Sequence, residues 1–133
     1  MRMLAPLLLL APSVAMAAQD AAVEPSPEVA NEIVVIGQRM DDWKGGLAKV
    51  DGELKCRTKK SSGDEIVDAI RCGSMLACIA PLAPQIDEIM ASDLGRKEKQ
   101  ARAQEVSETA VPCMEDYNRE AVLRLARSRA GAS

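Results

Sequence analysis

Lys49-Val50-Asp51-Gly52-Glu53-Leu54-Lys55-Cys56-Arg57-Thr58 is the stretch that decides the fold class. Asp-Gly between runs of alternating character suits a two-residue type I′ turn, whose central residues both take positive φ. The hairpin so predicted runs from Trp43 to Lys60, with Val50 opposite Glu53 and Leu47 opposite Cys56. Period-two alternation then places Trp43, Leu47, Leu54, Cys56 and Thr58 on one face and Glu53, Lys55, Arg57 and Lys59 on the other. Gly45 and Lys49 are the weak members of the inner face.

Outward from the hairpin, the chain changes period. Ser62-Gly63-Asp64-Glu65 matches a capping box, with Ser62 at the N-cap and Glu65 three residues on. Ile66, Ala69, Ile70, Gly73, Leu76 and Ala77 come next at helical spacing until Pro81 and Pro84 end the run. Ile86, Ile89 and Met90 mark a short helix after Pro84, and Arg96 to Glu108 reads as a polar one. Pro112 suits a first helical turn, and Cys113, Met114, Tyr117, Ala121, Val122 and Leu125 stripe a last helix toward Arg129. On the N-terminal side, Ile33-Val34-Val35-Ile36 is four β-branched residues ended by Gly37, which predicts a short strand. Strands first and helices after predict an α+β fold: a strand and a hairpin, then three or four helices.

Cys56, Cys72, Cys78 and Cys113 allow three pairings. Cys72 and Cys78 on one continuous helix stand ~9 Å apart along its axis and ~120° apart around it, beyond disulfide reach. Cys56–Cys72 with Cys78–Cys113 is favoured, because it ties the hairpin to the next helix and that helix to the last one. Cys56–Cys78 with Cys72–Cys113 stays open. Neither C-x-x-C nor a Cys/His cluster is present, so structural bridges outweigh zinc or redox chemistry.

The N-terminus says where such bridges form. Arg2, the apolar run Met3 to Ala11, and Ala15-Met16-Ala17 read as a signal peptide over 1–17, cleaved before Ala18, with no membrane span left afterwards. Residues 18–31, with Pro25, Pro27 and the acids Asp20, Glu24 and Glu28, read as a disordered acidic leader. The domain is expected over 32–130, as a monomer. The mature chain of about 116 residues suffices for one small domain.

Composition then narrows the function. The formal net charge is -3, which argues against nucleic acid as a partner. Two local basic clusters, Lys55 to Lys60 and Arg119 with Arg124, Arg127 and Arg129, read as solvated faces. Trp43 and Tyr117 are the whole aromatic content, so the core is thin and the disulfides offset it. Histidine is absent, which removes the commonest general base and the commonest metal ligand. The acid pairs Asp41/Asp42, Asp87/Glu88 and Glu115/Asp116 have the residue types for acid/base work, but adjacency in sequence alone does not make two carboxyls face a cleft. No catalytic, cofactor-binding or metal-binding residue is legible.

Glu32-Ile33-Val34-Val35-Ile36-Gly37-Gln38-Arg39-Met40 resembles the E-I-V-V-T-G-x-R segment that begins the mature N-terminal region of many TonB-dependent outer-membrane receptors, with Ile36 in place of Thr. The resemblance covers nine residues and implies a Gram-negative source and an extended partner strand at Ile33 to Ile36. The remainder of the chain, from Asp41 on, is too short for a plug and barrel. The sequence therefore predicts a non-enzymatic periplasmic protein, an envelope binding or structural accessory. Its rivals are an adaptor presenting the Ile33 strand to an envelope protein, and a small hydrolase or inhibitor with an unrecognised site.

Overall fold

The computed structural model describes residues 24–131, so the expected signal peptide and residues 18–23 of the expected leader lie outside it. The order of elements is α1 (Pro27–Asp42), β1 (Lys44–Val50), β2 (Glu53–Lys60), α2 (Glu65–Cys78), a 3-10 turn (Ala80–Leu82), α3 (Ala83–Ala91), α4 (Arg96–Glu108) and α5 (Val111–Gly131). The fold is α+β, with one antiparallel hairpin and helices on either side of it in sequence.

The hairpin has the expected turn and register. Asp51 and Gly52 both take positive φ, at 53° and 80°, as a type I′ turn requires. Val50 faces Glu53 and Leu47 faces Cys56, with an irregularity between Lys44 and Gly45. Next to that irregularity Trp43 is buried, and its indole N–H donates to Thr58 Oγ1 at 3.0 Å.

The expected strand at Ile33–Ile36 is instead the middle of α1, and this helix begins inside the stretch expected as a disordered leader. Ser26 caps it by accepting from the Val29 amide at 3.3 Å, Pro27 opens it, and Glu28 complements the helix dipole. Val29, Ile33, Ile36 and Met40 then fall on one face, with Ile36 fully buried. A β-branched residue gives up at most ~0.7 kcal/mol of helix propensity, whereas burying one isoleucine gains about 1.5–3 kcal/mol. Packing of that face therefore decides the conformation over the local preference of the run.

α2 begins two residues later than its expected cap. Asp64, not Ser62, is the N-cap, its Oδ1 accepting from the Ile66 and Val67 amides at 3.1 and 3.3 Å. Ser62 is occupied elsewhere: its hydroxyl and amide both donate to Asp68 Oδ1. The buried face of α2 is correspondingly rotated. Val67, Ile70, Ser74 and Cys78 are buried, while Ile66 and Leu76 of the expected stripe are exposed.

α1, α2 and α5 enclose the core of Ile36, Met40, Val67, Ile70, Ala121 and Ala126. α2 and α5 run antiparallel, pinned at both ends. Cys78 at the C-terminus of α2 is bonded to Cys113 in the first turn of α5, and Arg129 near the end of α5 reaches Asp64 at the start of α2. Glycine makes room for both aromatic side chains. A Cβ on Gly45 would collide with the Trp43 ring and the Arg57 carbonyl, and one on Gly73 would overlap the Tyr117 hydroxyl. Two aromatics thus approach backbone directly, Trp43 buried and Tyr117 half-buried against the core.

Candidate functional site

The four cysteines are joined in the favoured pairing: Cys56–Cys72 with Cα atoms 5.5 Å apart, and Cys78–Cys113 with 5.7 Å. No free cysteine is left. The first bridge lies beside Trp43 and Thr58, with Thr58 Oγ1 at 4.0 Å from Cys72 Sγ. Arg71 stacks over the Trp43 ring at 5.4 Å. The hairpin is therefore fixed on α2 directly by the Cys56–Cys72 bond, and Trp43, at the end of α1, bridges the two by donating to Thr58 of β2 and lying under Arg71 of α2.

That anchorage gives the hairpin two different faces. Inward, Leu47, Leu54 and the aliphatic stem of Lys49 meet Ile79, Ala83 and Ile86 around a small cavity of about 160 Å³. Lys49 closes its edge through a 2.6 Å ion pair with Asp87. Outward stand Glu53, beside the turn, and then Lys55, Arg57 and Lys59, all exposed, along β2. Opposite them on β1 are Gly46, facing Arg57, and Ala48, facing Lys55. Neither of these two facing positions carries a carboxylate.

The acid pairs singled out from sequence do not converge on a cleft. All six carboxylates are exposed, Asp87 is held by Lys49, and Asp116 pairs with Arg119 at 2.8 Å. Among the described residues no group of three side chains is placed to hold a metal ion.

The carboxylates with altered acidity serve structure. Burial opposes charge on Asp64, but the Arg129 guanidinium at 2.6 Å and the Val67 and Ile66 amides outweigh it, so its pKa lies below the ordinary value. Hydrogen bonds from the Ser61 and Ser62 hydroxyls hold Asp68 below the ordinary value as well. The Asp64–Arg129 pair joins residues 65 apart, and the sequence carries no signal for it because nothing local reveals how α2 and α5 are aligned.

Two further surfaces stand apart from the hairpin's outer face. An open groove of about 410 Å³ between α1 and α5 is walled by Ile33, Gly37, Val122 and Leu123. Of the partner strand expected at Ile33–Ile36, Val34 and Val35 are exposed helix-surface residues and Ile36 is core. Residues 65–91 contain an 18-residue window of mean hydropathy 1.6 and are long and apolar enough to cross a membrane by length and composition; they are interrupted by the 3-10 turn and bonded through Cys72 and Cys78 to the hairpin and α5. Comparison with known protein families, curated proteins and solved structures finds no match.

Proposed function

We propose that this chain is an exported, non-catalytic accessory protein of a Gram-negative cell envelope, acting by binding. The observation that carries the reading is the pair of closed disulfides, which consume every cysteine. Such bridges form and persist in oxidising compartments such as the periplasm. The apolar run and Ala15-Met16-Ala17 at the start of the chain support the same location. Against the hydrolase or inhibitor reading stand a chain without histidine and acid pairs that face solvent. The adaptor reading requires α1 to unwind, because strand addition would draw Ile36 and Met40 out of the core.

N-terminal sequencing of protein recovered from the periplasmic fraction tests the proposal. The expected result is a mature chain starting at Ala18 with no titratable thiol. Reduced protein in the cytosol, still starting at Met1, would overturn it. Saturable turnover of any ester, peptide or glycoside in a substrate panel would replace binding with catalysis.

A further inference from the structure

β2 carries Lys55, Arg57, Lys59 and Lys60 in eight residues, and Lys44 pairs with Lys60 at the open end of the hairpin. All five are exposed, and none of the five has a carboxylate within ion-pair distance among the described residues. Elsewhere this chain mixes its signs. Arg102, Arg119 and Arg124 each lie beside an acid three or four positions away on their own helix. On the hairpin the arrangement is the reverse, since the cross-strand positions that oppose Arg57 and Lys55 are Gly46 and Ala48. Lys55 and Arg57 stand roughly 7 Å apart along the outer row with only Gly46 and Ala48 across from them, Lys59 follows at the irregularity in register, and Glu53 beside the turn is the one acid of the row.

The row is also held rigid from behind. Leu54, Cys56 and Thr58 alternate with the cations; Leu54 and Cys56 are half-buried, Cys56 is bonded to α2, and the hydroxyl of exposed Thr58 accepts from the buried Trp43. The charges are thus presented by a short, cross-linked ribbon, so little backbone ordering remains to be done on binding.

We propose that this outer face docks on an anionic phospholipid surface, with Lys55, Arg57 and Lys59 against the phosphates and Lys44 and Lys60 at the margin. A surface that presents many phosphates at once is the partner that a row of exposed, unpaired cations matches. Charges beyond a Debye length of ~8–10 Å are screened, so acids away from the ribbon do not prevent approach, and on the ribbon itself Asp51 and Glu53 at the turn stand beside five cations. A single-stranded nucleic acid would want exposed aromatic platforms on this face, and neither Trp43, which is buried, nor Tyr117, which lies against Gly73 of α2, offers one there. The choice of lipid rests on the envelope reading. Vesicle binding and export are separate measurements, so either can fail alone.

The test is co-sedimentation of the oxidised protein with phosphatidylcholine vesicles, with and without phosphatidylglycerol. Binding is expected only with phosphatidylglycerol, and it should weaken as salt rises. The variant Lys55→Gln/Arg57→Gln/Lys59→Gln should lose about a hundredfold in affinity, at roughly fivefold per cation near the surface. The variant Arg96→Gln/Lys97→Gln/Arg127→Gln removes the same charge elsewhere and should lose less than about threefold by the same reasoning. Circular dichroism melts verify folding of both, and Arg57→Gln alone, with an expected loss of about fivefold, serves should the triple variant be unstable. Equal loss in both triple variants would reduce the effect to net charge and overturn the proposal. So would absence of binding to phosphatidylglycerol, or tighter binding to a single-stranded DNA oligonucleotide than to the vesicles.

Discussion

Asp64 divides its two carboxylate oxygens between two helices. Oδ1 caps α2 and Oδ2 takes the Arg129 guanidinium from the end of α5. Asp64→Ala removes both and should cost about 2 kcal/mol, the upper end for loss of a cap. Asp64→Asn keeps a capping oxygen but not the charge, and should cost less. Because the folded pKa is depressed, the unfolded chain binds the proton more readily. The contribution is therefore complete above the unfolded value of about 3.9 and disappears as pH falls through the lower folded one. Asp68 shifts in the same direction. Melting temperature should decline below about pH 4, and Asp64→Asn should flatten part of that decline. Gly73 of α2 lies directly under the Tyr117 hydroxyl. Alanine there would gain ~1 kcal/mol of helix propensity but overlap the Tyr117 hydroxyl, and overpacking costs about 1–3 kcal/mol. Gly73→Ala should destabilise the native protein and do so less in a Tyr117→Phe background, a coupling that a double-mutant cycle of melts measures.

α1 is the element in which local preference and tertiary packing disagree. Ile36 is fully buried and Val35 is 43% exposed, so the face rather than the residue type sets the cost of change. Ile36→Ala should cost about 2–4 kcal/mol, whereas Val35→Asp should stay near ~0.5 kcal/mol. Chemical denaturation of the two variants checks this; equal costs would favour a strand buried on both sides. The disagreement also marks the boundary of legibility. The hairpin is readable because Asp51-Gly52 and strict alternation are local signals, and the register they fix brings Cys56 to Cys72. α4 is readable to its ends because nothing is asked of it but helix-forming polar residues. α1 is hidden because Ile33-Val34-Val35-Ile36 masks a period that shows only when Val29 and Met40 are included, and because Ser26-Pro27-Glu28 sits among acids and prolines that suggest a leader. The cap at Asp64 is hidden because Ser62, equally suited to capping, is occupied by Asp68. The outer face of β2 is legible as a row of cations. Its lack of facing acids depends on the register, where Gly46 and Ala48 take the opposite positions.

The two bridges divide the work unequally. Cys56–Cys72 closes 16 residues and Cys78–Cys113 closes 35. Loop-closure entropy assigns about 3 kcal/mol to the first and about 4 kcal/mol to the second, each comparable with much of a small domain's stability. Cys78→Ala/Cys113→Ala should therefore melt below Cys56→Ala/Cys72→Ala, and reduction of both bridges below either. The longer loop contains α3 and α4. α4 buries no residue fully and packs against α3, so this pair depends on its bridge and on the Lys49–Asp87 contact more than on the core. Residues 92–95, between the two helices, are accordingly where a protease should cut first. Such a cut would separate the chain into two pieces without releasing either, since Cys78 lies on one and Cys113 on the other. A nicked protein should run as one band without reductant and as two with it, keeping the hairpin, the three-helix core and the basic face assembled. The second bridge makes the integrity of the molecule independent of the continuity of its backbone between those two cysteines.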